Sequence, residues 1–188
     1  MTHGVAIVAA PVSRGVGRWD ADEALEQLYA AHWRSLVRLG VLLLHDQGAA
    51  EEVVQDAFVA VHDRWHRLRD PDRALAYLRQ TVVNRSRSAL RHRVVQNRFV
   101  AQEGARLGAS APVAPGVEDG AARAVILQAL RRLPERQREV IALRYYLDLS
   151  EAEIADALGI SRGAVKSHAS RGAAALREHL RDVWEDTP

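Results

Sequence analysis

Cysteine is absent from this chain of 188 residues. That excludes a disulfide framework, a thiolate metal site and a cysteine nucleophile together, and it fits a reducing, cytoplasmic setting. Long apolar runs are missing as well. No stretch approaches the roughly 18 apolar residues that span a bilayer, so no membrane span is expected. The short apolar run Val5 to Ala10 lacks a cationic leader and is shorter than a signal core. Alternation of apolar and polar residues with period two does not extend beyond a few residues anywhere, which argues against a sheet. No phosphate-binding loop, paired catalytic carboxylates or nucleophile motif is present, which points away from an enzyme and from any cofactor. His62 and His66 stand four apart, a zinc-compatible spacing, but no third ligand accompanies them and Trp65 beside them suggests packing, so no metal is expected.

One-sided charge is what the chain does have. The total is only +2, yet residues 20–63 carry nine acids against Arg34 and Arg38, and residues 73–102 carry seven arginines and no acid. An acidic block followed by a basic block is the pattern of a protein with two different partners, and an uncompensated basic run repels itself unless a polyanion is near. The plainer alternative is that each block is a solvated helix face.

Apolar spacing predicts an all-α chain of two small helical domains. Leu25, Leu28, Tyr29, Leu36, Leu39 and Leu43 recur at helical steps. A second helix from about Gly48 puts Val53, Val54, Ala57, Phe58, Val61, Trp65 and Leu68 inside and begins outside with Glu51, Glu52, Gln55 and Asp56. Pro71 stands where a helix can open, and Leu75, Leu78, Val82 and Ala89 form a third stripe. Residues 22–98 thus make one domain after a leader over 1–21. Residues 99–119, with Gly, Ala, Ser and two prolines, read as a flexible linker. The second domain is expected over 120–182, with Val125, Ile126, Ala129, Leu130 and Leu133 on its first helix, and 183–188 as a tail.

That second domain holds the sharpest motif. Ser150-Glu151-Ala152-Glu153 is a capping box, Gly159 is a left-handed helix stop, and Ser161 caps the next helix. A short helix, a tight turn and a second helix form the unit that sets a recognition helix into the DNA major groove. On that second helix Val165, Ala169, Gly172, Leu176 and Leu180 share one stripe, while Gly163, Lys166, Ser167, Ser170 and Arg171 face away, suited to phosphates and base edges. An ordinary helical hairpin with a solvated face is the bland alternative. On the third helix of the first domain, Gln80, Asn84, Arg87, Ser88 and Arg91 oppose the apolar stripe, flanked by Arg85 and Arg93. Amide and guanidinium groups there can read bases and hold phosphates, and the loop from Arg67 to Asp72, with Asp70, can take an unstacked base. A purely electrostatic arm is the duller reading.

Four stretches carry a family resemblance. They are LEQLYAAHWRSLVRLGVLLL (25–44), GAAEEVVQDAFVAVHDRW (48–65), ALAYLRQTVVNRSRSALR (74–91) and LPERQREVIALRYYLDLSEAEIADALGISRGAVKSHASRGAAALRE (133–178). In this order they resemble the extracytoplasmic-function (group 4) sigma factors of bacterial RNA polymerase, more narrowly the compact actinobacterial SigE-like group. The resemblance implies that 22–98 is sigma domain 2 and 120–182 sigma domain 4. It implies that Glu51, Glu52, Gln55 and Asp56 dock on the clamp helices of core polymerase and that domain 4 meets the flap. It further implies that Arg67, Asp70, Asn84, Arg85, Arg87, Ser88 and Arg91 melt and read the −10 element. Ser161, Arg162, Lys166, Ser167, Ser170 and Arg171 would read the −35 element, and the linker would run toward the RNA exit path. An anti-sigma factor is a further partner that the family admits. The chain departs from the commoner pattern at Glu-Glu-Val-Val-Gln-Asp (51–56), at Ala164, where Thr is frequent, and at His168-Ala169-Ser170. Two other readings stay open: a conventional helix-turn-helix regulator acting without core polymerase, and an adaptor whose acidic helix binds a protein.

Overall fold

The structure is a computed structural model that describes residues 21–68, 70–103 and 120–185. Residues 1–20 of the expected leader and the greater part of the expected linker lie outside them. Seven α-helices and one π-helical turn make up the described chain. α1 (Ala21–Leu44) opens with Asp22 and Glu23, acids that complement the positive end of the helix dipole. His45, held at φ 58°, ends it, and Asp46 starts α2 (Gln47–Leu68) by accepting the Ala49 amide at 2.9 Å. So short a turn forces α1 and α2 antiparallel and close. A Cβ on Gly40 would sit 2.8 Å from the Cβ of Ala50 and 3.2 Å from its Cα, so glycine is what permits that approach. Asp70 accepts the Asp72 amide at 3.0 Å and so caps α3 (Pro71–Glu103), which begins at the proline as expected.

Leu36, Leu39, Val54, Val61, Leu78, Val82 and Val83 are fully buried where α1, α2 and α3 meet. Apolar stripes at helical spacing thus find one another and leave water together. Beyond residue 119, α4 (Gly120–Arg132) and α5 (Glu135–Ile141) lead into the π-helical turn Ala142–Tyr146, then α6 (Glu151–Leu158) and α7 (Arg162–Glu185). Gly172 on α7 faces α5, and a Cβ there would lie 2.9 Å from Ile141 Cγ1 and 3.2 Å from Gln137 Cβ.

The two sets of helices are not independent bodies. α1 packs on the π-helical turn and α3 packs on α6. One continuous buried cluster runs from Leu28 on α1 to Val165 on α7, and Leu42 of α1 also packs on the cluster of Leu130, Leu133 and Ile141.

Several expectations are corrected. Tyr29 is 46% exposed, stacking on Trp33 at 4.7 Å at the rim of the α1–α2 groove rather than inside it, and Ile126 is equally exposed on α4. α3 continues to Glu103, past the expected boundary at 98, because nothing from 99 to 103 breaks a helix. α7 likewise runs to Glu185, three residues past the expected end of the second domain at 182. Arg67 belongs to the last turn of α2 and not to a loop, so the connection to α3 is much shorter than residues 67–72.

Candidate nucleic-acid interface

The capping box at the start of α6 forms in full. The Ser150 hydroxyl accepts the Glu153 amide at 3.3 Å, and the Glu153 carboxylate accepts the Ser150 amide at 2.9 Å. Hydrogen bonds from the Ser150 hydroxyl and amide hold the Glu153 carboxyl below its usual pKa range. Gly159 takes φ 64°, and the Ser161 hydroxyl accepts the Ala164 amide at 3.1 Å. These three devices fix where α6 stops and how α7 leaves the turn. Val165, Ala169 and Gly172 are buried, while Ser161, Arg162, Gly163, Lys166, Ser167, Ser170 and Arg171 are exposed. Arg171 donates to the Ser167 hydroxyl at 2.9 Å, and Lys166 stands 3.7 Å from Glu151, which also lies 3.5 Å from Arg144. All the residues expected to read DNA from α7 therefore share one solvent-facing surface.

On α3 the outcome is mixed. Asn84, Arg85, Ser88 and Arg91 are exposed. Ser88 donates to the Asn84 carbonyl at 3.2 Å, and Arg91 donates to the Ser88 hydroxyl at 3.2 Å, so this face is held by its own network. Arg87 departs from the expected open position, for only 15% of its side chain is accessible. One of its guanidinium nitrogens donates to Asn84 Oδ1 at 3.1 Å, and two others grip the carboxylate of Glu139 on α5, one at 2.8 Å. Asp70 is half-buried at the α3 cap, and Arg67 is exposed on α2.

The acidic start of α2 stays open: Glu51, Glu52, Gln55 and Asp56 are all exposed. Asp56 pairs with Arg85 of α3, and Gln47 donates to Glu51 at 2.9 Å. Val59, 56% exposed, extends this face with an apolar patch. His62 contacts Asp22 at 3.5 Å and Asp63 at 3.7 Å, and the described residues contain no group of three or more side chains suited to a metal ion. No described helix is long and apolar enough to cross a membrane.

Sequence reasoning missed Glu139, which is 2% exposed and also accepts from Arg136 at 3.2 Å, and its buried neighbour Arg138. A signal existed. Glu139 lies one helical turn before the fully buried Leu143, so its position faces inward.

Residues 28–94 match the family model described as Sigma-70 region 2, and residues 123–176 match Sigma-70, region 4. RNA polymerase sigma-E factor of Streptomyces coelicolor is 33% identical over 146 residues, covering 78% of this chain and 80% of that protein. The ECF RNA polymerase sigma factor SigM of Mycobacterium tuberculosis is 31% identical, covering 84% of this chain and 77% of that one. The solved structure of CnrH in complex with the cytosolic domain of CnrY is similar at 26% identity and a TM-score of 0.61, covering 86% of this chain and 95% of that one. With both regions matched in order and relatives above 30% identity along most of their length, the chain belongs to the extracytoplasmic-function RNA polymerase sigma factors.

Proposed function

We propose that this sigma factor engages core RNA polymerase through the acidic start of α2 and its promoter through two separate faces, one on α3 and one on α7. Glu51, Glu52, Gln55 and Asp56 dock on the polymerase clamp helices, and the helix-turn-helix domain reaches the flap. Arg162, Lys166, Ser167, Ser170 and Arg171, with the cap Ser161, read the −35 duplex by cations on phosphates and small hydroxyls at base edges. Asn84, Arg85, Arg87, Ser88 and Arg91, with Arg67 and Asp70 at the head of α3, capture the melted −10 strand. Unstacking bases costs a few kcal/mol, offset in part by their capture on the protein. The chain supplies no catalysis of its own; it positions the polymerase and helps open the duplex. It acts in the cytoplasm, where its polymerase and promoter are. A protein antagonist of the anti-sigma class is part of the same reading, since the related CnrH was solved bound to another protein.

The observation that supports this best is that an acidic face and two cationic faces lie on separate helices of one chain, each with polar groups exposed. Size-exclusion comigration with core polymerase, without DNA, tests it. A one-to-one complex is expected, lost on Glu51→Lys with Glu52→Lys. A chain that elutes alone while binding duplex DNA would be a conventional helix-turn-helix regulator instead.

A further inference from the structure

Glu151 is the first residue of α6, and an acid at that place works against a surface that meets DNA. The capping box holds Ser150 and Glu153 on either side of it, so its backbone is fixed at the entry to the helix-turn-helix. Its Oε1 lies 3.5 Å from Nη1 of Arg144 in the π-helical turn, and its Oε2 lies 3.7 Å from Nζ of Lys166 on α7. One carboxylate thus joins cations from the two segments that flank α6. Both cations stay accessible, Lys166 over 69% of its side chain and Arg144 over 38%. Arg144 lies outside the set of residues that the sequence alone assigns to this face.

A carboxylate here repels phosphate and lowers the attraction of the whole face for DNA. Exposed ion pairs of this length also add little to the fold. What the carboxylate does supply is restraint. Lysine occurs once in the chain, against 25 arginines, and Lys166 is that residue. Its ammonium is a point charge on a flexible four-carbon stem, without the preformed fork that orients an arginine. Glu151 limits the directions that stem can take, and the other oxygen of the same carboxylate steadies Arg144. Phosphate contacts set the register of a reading helix on the duplex, so cations held in place sharpen the fit of Ser167, Ser170 and Arg171 to base edges. We propose that Glu151 is a positioning residue of the −35 face: it lowers overall attraction for DNA and holds Lys166 and Arg144 where the phosphates of a correctly registered duplex meet them. This rests on the reading of α7 as the −35 surface.

Native holoenzyme first enriches a promoter duplex from a randomised pool, and the same duplex with its −35 half scrambled is the comparison. The ratio of the two affinities is the readout. Glu151→Gln should lower this ratio roughly fivefold, the size of about two exposed ion pairs lost. Binding of the scrambled duplex should tighten at the same time, because a negative charge has left the face. In a chain carrying Arg144→Ala and Lys166→Ala, Glu151→Gln should still tighten both duplexes but leave the ratio unchanged. A merely structural role predicts a fall in the ratio that persists without the two cations, and that result overturns the proposal. An unchanged ratio in the native background overturns it as well, and so does weaker binding of the scrambled duplex. The −35 reading fails separately, if native holoenzyme binds the scrambled duplex as tightly as the enriched one.

Discussion

Acidification from about pH 7 to about pH 5 should weaken the fold chiefly through His45. This residue closes α1 in a left-handed conformation, and both ring nitrogens are buried with no hydrogen-bond partner among the described residues. Burial, reinforced by the positive charges of Arg138 and Arg131, pushes its pKa from 6.5 down to about 3. The folded protein therefore keeps the imidazole neutral at pH values where the unfolded chain protonates it. The unfolded state then binds more protons, so stability falls as pH drops below 6.5 and keeps falling until the folded value near 3 is reached. Each pH unit in that window is worth about 1.4 kcal/mol, giving a loss of about 2 kcal/mol at about pH 5. Asp46 and Glu153 have pKa values held below 3.8 and 4.5, so they add little above about pH 5. His32, also lowered by burial, is the other contributor in the window and is controlled for by His32→Gln. Urea unfolding across the window is the assay. His45→Asn keeps a residue tolerant of positive φ and removes the titration, so in the His32→Gln background its stability should be nearly flat where the parent slopes. A parent slope that survives in His45→Asn would refute the assignment.

Two further outcomes follow from the packing and the charges. Gly40→Ala gains about 1 kcal/mol of helix propensity but drives a methyl against the backbone of α2, a collision that typically costs about 1–3 kcal/mol. Because the Ala50 Cβ at 2.8 Å and Cα at 3.2 Å are fixed to the α2 backbone and cannot swing away, a net loss of up to about 2 kcal/mol is expected, read as a lower Tm; a Tm at or above the parent's would contradict it. Lys166→Ala and Arg171→Ala should each reduce the slope of log affinity against log salt by about 0.9 in holoenzyme binding to promoter DNA, and an unchanged slope would take that residue off the phosphates.

Helices, caps and the solvent-facing side of α7 were legible in the sequence because each is set by residues within a few positions of one another. Ser150 with Glu153, Gly159 and Ser161 define the helix-turn-helix by local hydrogen bonds and one positive φ, and all form as the spacing predicts. The α3 boundary at 98 and the Arg67–Asp72 loop were misplaced because composition marks breakers better than it marks how far an unbroken helix runs. Tyr29 fits the apolar stripe by spacing, yet a wheel cannot tell the centre of a groove from its rim.

The chain's own pattern therefore determined that it is helical, that its charge is divided, and that its last two helices form a DNA-reading unit. Only the tertiary structure decided which polar groups are available. Arg87 and Glu139 each sit on an amphipathic helix, and neither sequence context names the other. Their pairing depends on two helices meeting across the linker, and burying an acid becomes tolerable only when a guanidinium comes with it. Such a contact is a property of the assembled core, because local spacing specifies a face but the packing of other helices specifies what covers it.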